Sequence, residues 1–389
     1  MSGEYERLES ATAHLDPPFA VVDLNGFEAN AADLARRAHG VPVRVASKSV
    51  RVRDLVDRAS RTAGFAGVMT YALREAVWLA RAGHDNVLMG YPSVDRAALA
   101  ELAADAELRE RVVLMVDHPA QLALVRAAGA TDAAPVAVCL DIDSSLRVGP
   151  LHLGVRRSPI HTPQQAADAA AVVQRATGVE LVGLMFYDAQ IAGLPDANPA
   201  VRVVKARSAA DLGSRRTAVL DAVTRVLGRT PTLVNGGGTG SIEVDAADPA
   251  ITEVTAGSGL YSPGLFDRYR SFTSRPAAWF ALPVVRRPHP RIATAFGGGY
   301  VASGPSGSSR LPRPTWPTGL SLLGAEGAGE VQTPLSGDAA SRLQPGDRVW
   351  LRHAKAGELF ERFDVVHLVR GRRIERTVPT YRGEGQAFG

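Results

Sequence analysis

Lys48 and two glycine-rich stretches are the residues whose types and spacing most directly suggest chemistry. Lys48 follows a β-branched run in VRVASKSVR, residues 43–51, where a strand is expected to end. The glycine-rich stretches are NGGGTGS, residues 235–241, and AGSGLYSPG, residues 256–264. Glycines let main-chain N–H groups approach an anion closely. Three hydroxyl side chains there can add donors: Thr239, Ser241 and Ser258. The pattern indicates a phosphate site, and it is not a Walker sequence because no Gly-Lys-Ser/Thr follows.

The elements that must position these residues are short apolar runs that alternate with helix-like stretches. The runs cover residues 43–46, 65–70, 86–90, 112–117, 136–143, 181–187, 232–238 and 251–257. They are apolar on both faces, as buried parallel strands are. A helix is expected near residues 26–39, and others in YALREAVWLARAG and TPQQAADAAAVVQRATG. Eight β-α units within about 230 residues predict an α/β fold of the TIM (β/α)8 barrel type, with an open doubly wound sheet as the alternative.

A barrel would bring the lysine and the glycines together. TIM barrels often bind phosphate in the loops after strands seven and eight, and here those strands run into the two glycine-rich stretches. Strand one, which ends near Lys48, adjoins strand eight in a closed barrel. A lysine facing a phosphate site across a barrel mouth suggests pyridoxal 5'-phosphate, bonded through the lysine amine. The alternatives are a lysine that only pairs with the phosphate, and a phosphate-binding barrel without this cofactor.

A change of composition after about residue 270 predicts a second domain. The segment from residue 275 is rich in Pro, Gly and Ser, and Pro345-Gly346-Asp347 is a turn between strand-like runs. We therefore expect a barrel over residues 20–270 and a C-terminal β domain over residues 271–389, joined by residues 1–19.

The bulk composition excludes several classes of protein. The chain has 389 residues and a formal net charge of only +4, and its arginines are scattered, which disfavours nucleic-acid binding. Cys139 is the single cysteine, so neither an intrachain disulfide nor a cysteine-based zinc cluster is expected. The polar N-terminus is unlike a signal peptide, and no apolar run is long enough for a membrane helix. We expect a soluble cytoplasmic protein that acts on a small molecule.

Six stretches carry a resemblance to a known family. They are VRVASKSVR, PFAVVDLNGFEANAADL, DIDSSLRVG, GLMFYDAQIAG, NGGGTGS and AGSGLYSPGLFD. In this order they resemble the fold-type III pyridoxal-phosphate enzymes with an alanine-racemase-like N-terminal barrel. The resemblance covers about residues 15–270 and is greatest to the D-threonine aldolase, D-serine dehydratase and amino acid deaminase branch.

The resemblance implies roles for individual residues. Lys48 would bond the cofactor, Arg147 would lie near its phenolate or the substrate carboxylate, and Tyr187 would flank its ring. Tyr261 would reach a phosphate oxygen with its hydroxyl. Thr255 stands where alanine racemases have an arginine against the ring nitrogen, which implies a weaker electron sink. The implied phosphate cradle consists of Gly237, Gly238, Thr239, Gly257, Ser258 and Gly259.

The resemblance also suggests a site for a divalent metal, which relatives bind through a His-x-Asp or His-x-Cys pair in the second domain. Here the comparable residues are His353 and Lys355, and a protonated lysine is not a metal ligand. A metal is therefore doubted, although Glu358 or Asp364 could substitute as a ligand. We expect instead that Lys355 supplies the positive charge and that His353 acts as general base.

The activity that follows is a pyridoxal-phosphate-dependent lyase, cleaving or deaminating a β-hydroxy amino acid or a related hydroxylated amine. The alternative enzyme is an amino acid racemase, with Tyr300 or Tyr381 as the acid on the opposite face. From another class comes a non-catalytic pyridoxal-phosphate carrier, which would lack a second domain. Relatives of this type imply a homodimer, in which the second domain of one chain completes the barrel mouth of the other.

Overall fold

The computed structural model describes residues 2–388. In chain order the strands are β1 (Phe19–Asp23), β2 (Val43–Ala46), β3 (Phe65–Thr70), β4 (Val87–Pro92), β5 (Val112–Val116), β6 (Val136–Ile142), β7 (Leu146–Val148), β8 (Leu151–Leu153), β9 (Val179–Phe186), β10 (Leu233–Gly236), β11 (Glu253–Ala256), β12 (Ala278–His289), β13 (Ile292–Phe296), β14 (Arg313–Trp316), β15 (Ser321–Leu322), β16 (Gln332–Ser336), β17 (Arg348–Arg352), β18 (Val365–Arg370) and β19 (Arg373–Pro379). The α-helices are α1 (Ser2–Ala11), α2 (Leu24–Arg37), α3 (Arg53–Ser60), α4 (Leu73–Arg81), α5 (Arg96–Ala104), α6 (Ala106–Arg111), α7 (Pro119–Ala127), α8 (Pro163–Arg175), α9 (Ala189–Ala192), α10 (Pro199–Leu227), α11 (Ile242–Ala246) and α12 (Ser258–Tyr261).

Eight of these strands form a closed parallel barrel in the order β10-β11-β2-β3-β4-β5-β6-β9. They are the eight predicted runs, with bounds that shift by a few residues. Closure occurs where β11 pairs with β2, with Thr255 opposite Arg44 and Ala256 opposite Val45. The predicted TIM-like barrel is confirmed, and the open-sheet alternative is wrong because the first and last strands are hydrogen-bonded to each other.

The helices around the barrel begin at polar caps that the sequence supplies. Asp23 caps α2 by accepting from the Asn25 amide. Thr162 caps α8 in a capping box with Gln165, and Pro163 occupies the first helical position. These caps satisfy amides that have no partner within the helix.

The barrel interior contains an apolar layer and a buried ionic layer. The apolar layer is formed by Leu88, Met115, Cys139 and Met185. In the ionic layer, Arg44 on β2 binds Glu253 on β11 through two contacts of 2.6 Å. A buried ion pair persists only when its polar atoms are satisfied, and Asn235 completes this one by donating to Glu253 at 2.7 Å.

A second sheet forms the other domain, with β1 at its centre. β1 pairs antiparallel with β12 and parallel with β18. All five residues of Phe19–Asp23 are buried, as they must be between two strands and two packed faces. The chain therefore enters the barrel only after β1, whereas the sequence analysis begins the barrel at residue 20. Among residues 2–388, no helix has the length and apolarity needed to cross a bilayer.

Candidate active site

Lys48 lies on a short 3-10 turn, Ser47–Ser49, directly after β2 at the carboxyl end of the barrel. Its side chain is exposed at the barrel mouth. The Lys48 Nζ donates to the Tyr91 hydroxyl at 2.5 Å, and it lies 5.1 Å from the centre of the Tyr91 ring. Tyr91 is near the end of β4, the third barrel strand. The structure therefore presents an open amine in contact with a phenol.

The Lys48 turn is held by Arg51, whose backbone is in the left-handed region at φ 54°. The Arg51 Nε donates to the Lys48 carbonyl at 3.1 Å. The same guanidinium pairs with Glu361 of the second domain at 2.7 Å. A strained backbone at a non-glycine residue persists only where its surroundings fix it, so both domains contribute to the position of Lys48.

The two glycine-rich loops lie side by side, as predicted for strands seven and eight. The Gly259 amide donates to Thr239 Oγ1 at 3.0 Å, which joins one loop to the other. A β-carbon on Gly238 would lie 2.5 Å from the Ala192 β-carbon. A β-carbon on Gly257 would lie 2.5 Å from the Ala46 carbonyl oxygen. Both positions therefore require glycine for close packing, and the second packs against the strand that leads to Lys48.

The loops have the donors that a phosphate needs. Among residues 2–388, the amides of Gly238 and Thr239 have no protein acceptor. The hydroxyls of Ser49 and Ser258 lie 3.3 Å apart, one beside Lys48 and the other in the second loop. Amides without acceptors, next to hydroxyls and an amine, fit the phosphate and aldehyde ends of pyridoxal phosphate.

A buried network supports the first loop from behind. The Arg37 Nη2 donates to the Thr239 carbonyl at 2.7 Å. The Ser241 hydroxyl donates to Asp188 at 3.1 Å, and Arg216 binds Asp245 at 2.7 Å. Burial, and then the charge of Asp245, raise the pKa of Asp188 well above its ordinary value. This shift favours the neutral form of Asp188, which carries no charge that would repel a phosphate in this loop.

Thr255 lies in β11, buried inside the barrel below the loops. Asn235 donates to the Thr255 hydroxyl through Nδ2 at 2.8 Å, and the Asn235 side-chain oxygen lies 3.1 Å from the same hydroxyl. The side chain expected opposite a ring nitrogen is therefore neutral and held in place.

Arg157 lies over the rings of Tyr91 and Tyr187, and sequence reasoning did not identify it. Its guanidinium carbon lies 5.4 Å from the Tyr91 ring centre and 4.9 Å from that of Tyr187. The predicted Arg147 is 42% exposed on β7 and pairs with Asp143 at 2.5 Å. Both arginines line a cleft of about 460 Å³ at the barrel mouth, together with Arg156.

Two of the expected roles do not fit the geometry. Tyr261 is fully buried and donates its hydroxyl to the Val50 carbonyl at 2.9 Å, so it does not reach a phosphate oxygen. His353 is 3% exposed, and within residues 2–388 neither ring nitrogen has a partner that satisfies both the distance and the angle of a hydrogen bond. Burial, and then the charge of Arg352, lower the pKa of His353 to about 3. An enclosed imidazole with this pKa is a poor general base.

Lys355 reaches the barrel mouth from the second domain. Its Nζ donates to the Ser303 hydroxyl at 2.7 Å. Burial, and then the charges of Lys48 and Arg310, outweigh the charge of Glu358 and lower the pKa of Lys355.

The ammonium group of Lys355 and the enclosed imidazole of His353 do not fit a divalent metal. Across residues 2–388 there is also no cluster of three or more His, Cys, Asp and Glu side chains suited to a metal ion.

Both tyrosines named for a racemase pack against other aromatic rings. Tyr300 packs against Phe280 and Phe363 in the second domain. Tyr381 is fully buried and stacks edge-on against Trp78.

Comparison with known proteins gives a family match and several structural relatives. Residues 22–263 match the family model described as "Alanine racemase, N-terminal domain". The chain is 28% identical over 256 residues to a D-threonine aldolase from Arthrobacter sp., an alignment that covers 65% of this chain and 62% of that protein. The chain thus matches less than two thirds of the length of this curated relative.

Two solved structures share the fold over nearly the whole chain. D-threonine aldolase from Filomicrobium marinum has a TM-score of 0.77 and 23% identity, with 94% of each chain covered. D-threo-3-hydroxyaspartate dehydratase from Delftia sp. HT23 has a TM-score of 0.71 and 21% identity, covering 94% of this chain and 97% of that one.

Proposed function

The chain belongs to the alanine racemase N-terminal domain family, and from this premise we propose that it is a pyridoxal-phosphate-dependent lyase acting on β-hydroxy amino acids. The observation that carries the proposal is the open Lys48 amine beside two glycine loops whose amides are available to a phosphate. The similarity to a D-threonine aldolase supports cleavage or deamination of a β-hydroxy substrate.

The proposed cofactor site uses residues already described. Lys48 would bond the cofactor, Thr255 would face the ring nitrogen, and Tyr187 would flank the ring. The phosphate would be held by Gly237, Gly238, Thr239, Gly257, Ser258 and Gly259. When bound, the cofactor supplies an electron sink for charge that develops at the substrate α-carbon.

The residues around the mouth would bind and orient the substrate. Lys48 and Arg157 both lie within 5.4 Å of the Tyr91 ring centre, and Arg157 with Arg147 and Arg156 would bind the substrate carboxylate. A guanidinium is suited to this because it matches a carboxylate with two parallel hydrogen bonds. Lys355 approaches from the second domain and would stabilise negative charge on the substrate β-oxygen.

A cytoplasmic homodimer is part of the same proposal. Val148 and Leu151, on the hairpin at the barrel mouth, are 46% and 52% exposed, which supports burial against a second copy. A closed two-fold interface, which is common in homodimers, would bury these two side chains. Light scattering is expected to give a dimer, and a fully active monomer would reject this part.

The test is to incubate the purified protein, loaded with pyridoxal phosphate, with D- and L-β-hydroxy amino acids and amino alcohols. A lyase releases an aldehyde or a keto acid from one stereochemical series. Inversion without cleavage would establish the racemase alternative. Bound cofactor with no turnover would favour a carrier, and no cofactor absorbance would favour a barrel that binds phosphate alone.

A further inference from the structure

Tyr91 lies at the barrel mouth, and the proposed binding of cofactor and substrate does not by itself account for its contact with Lys48. Its hydroxyl accepts from the Lys48 amine at 2.5 Å. It lies near the carboxyl end of β4, the end of the strands where TIM-barrel enzymes carry catalytic groups. We propose, on the basis of the lyase function above, that Tyr91 is the acid–base residue that removes the proton from the substrate β-hydroxyl.

The charges around Tyr91 favour its phenolate. Lys48 approaches from the turn after β2, and Arg157 lies over the ring from the segment after β8. Lys355 of the second domain and the uncharged Tyr187 also face this group. Burial by itself raises the pKa of Tyr91, but Lys48 and Arg157 outweigh it, so the pKa lies below its ordinary value of 10. A phenol between two cations gives up its proton more readily than one in water.

Other candidate bases are less suited. His353 is only 3% exposed, so its ring nitrogens are not open to a substrate at the mouth. Burial raises the pKa of Tyr187, which favours its neutral form. Lys48 would bond the cofactor until the substrate amine replaces it, and the released Lys48 amine would then serve the α-carbon and not the β-oxygen. Tyr91 combines a position at the mouth, contact with the reactive lysine and an environment that stabilises its anion.

The step balances for cleavage of a β-hydroxy amino acid. The proton of the β-hydroxyl passes to the Tyr91 phenolate oxygen. The O–H bonding pair forms the carbonyl bond of the aldehyde while the Cα–Cβ bond breaks, and the Cα–Cβ pair stays on the α-carbon side. A proton from the Lys48 ammonium returns to Cα, so the products are an aldehyde and glycine. The proton gained by Tyr91 then passes to the Lys48 amine with which it is hydrogen-bonded, and both groups are restored.

The first test is Tyr91→Phe in the cofactor-loaded protein. This variant keeps the ring that contacts Lys48 and Arg157 and removes only the hydroxyl. We expect kcat for cleavage to fall by about 100-fold or more, the usual contribution of general acid–base catalysis. KM should change little, and borohydride should still attach the cofactor to Lys48. Turnover within threefold of the wild type would overturn the proposal. A loss confined to KM would also overturn it, because it would assign Tyr91 to binding.

The second test needs no turnover. Ultraviolet titration of the cofactor-free protein should show one tyrosinate forming below the ordinary pKa of tyrosine. This step should vanish in Tyr91→Phe and persist in Tyr300→Phe, the control in the second domain. Arg157→Met should move it to higher pH, together with the rising limb of kcat/KM. If the wild type lacks the step, the proposal for Tyr91 fails. If the wild type releases no aldehyde from any substrate, both the lyase function and the role of Tyr91 in it are wrong. If the wild type is active and Tyr91→Phe is equally active, only the role of Tyr91 is wrong.

Discussion

Gly357, in the second domain, packs so closely against the Lys48 main chain that a β-carbon on Gly357 would overlap with the Lys48 carbonyl oxygen. Gly357 has a φ of 96°, a conformation that other residues rarely adopt. Together with the Arg51–Glu361 pair, this contact makes the second domain one wall of the lysine turn. The position of Lys48 is therefore set jointly by the barrel and by a segment about 300 residues later in the chain.

Gly357→Ala is expected to displace the Lys48 turn, because a β-carbon cannot fit against that carbonyl. The matched control is Gly346→Ala, whose φ is 98° and whose β-carbon would meet nothing within 4 Å. Both glycines have a positive φ, where a β-carbon is unfavourable, and only Gly357→Ala adds a clash with the Lys48 carbonyl. The expected result is a larger effect for Gly357→Ala than for Gly346→Ala. The free energy of unfolding in urea and the rate of cofactor binding are measured for both variants and compared. Equal behaviour of the two variants would show that the contact does not constrain the turn.

Lys48 is expected to be the sole site of cofactor attachment. The chain has three lysines, Lys48, Lys205 and Lys355, so the assignment is unusually clear. Borohydride reduction followed by peptide mapping should label Lys48, and Lys48→Ala should abolish the label while Lys205→Ala retains it. A label on Lys355, the other lysine at the mouth, would reverse the roles of the two residues.

Lys355→Met should lower kcat by roughly a hundredfold, because one electrostatic contact to a developing oxyanion contributes about 3 kcal/mol. The absorbance of the bound cofactor should be unchanged. Lys205→Met is the control, since Lys205 is also a partly buried lysine with a lowered pKa, and it donates to Leu194 away from Lys48. A chelator should have little effect on the wild type. If chelation abolishes turnover and a divalent ion restores it, Lys355 does not have this role.

Glu75→Gln should stabilise the protein above neutral pH. Glu75 is fully buried on α4 and accepts from the Tyr71 amide at 2.8 Å. Burial raises its pKa from 4.5 to about 7. Because the folded state binds this proton more tightly than the unfolded chain, the free energy of unfolding falls as pH rises from about 4.5 to about 7, and it stays lowered above that range.

The neutral glutamine removes this penalty, which is up to about 3 kcal/mol at 1.36 kcal/mol per pKa unit. Thermal unfolding of both proteins between pH 5 and pH 9 measures the difference, with pH 5 as the internal control. A difference that does not change with pH would show that the pKa of Glu75 is not raised in the folded protein.

The barrel could be predicted from sequence because its signals are local. Each strand is a short apolar run, and the glycines of the two glycine-rich loops mark the ends of the seventh and eighth strands. Strand β1 carries a similar apolar run, yet it pairs with β12 and β18, which follow it by more than 250 residues. A local sequence pattern cannot indicate such distant pairing, and this is why the sequence alone predicts that residues 20–23 belong to the barrel.

The chemistry of individual side chains was harder to predict, because it depends on the direction in which each one points. Tyr261 and His353 are on the expected segments but face the interior. Tyr91 could have been found, since it lies at the end of the third barrel strand, where catalytic residues occur. Arg157 follows the β7–β8 hairpin, and its approach to Tyr91 and Tyr187 depends on tertiary packing, which a local sequence pattern does not indicate.

The central place of β1 in the second sheet has a consequence for how the protein matures on the ribosome. The barrel strands span residues 43–256 and can pair as soon as they have emerged, since domains fold as units from the N-terminal side during synthesis. β1 emerges before all of them but must wait for β12 and then for β18, near the end of synthesis. During that interval the apolar strand Phe19–Asp23 lacks both native partners, and its unpaired edges are open to pairing with other nascent chains.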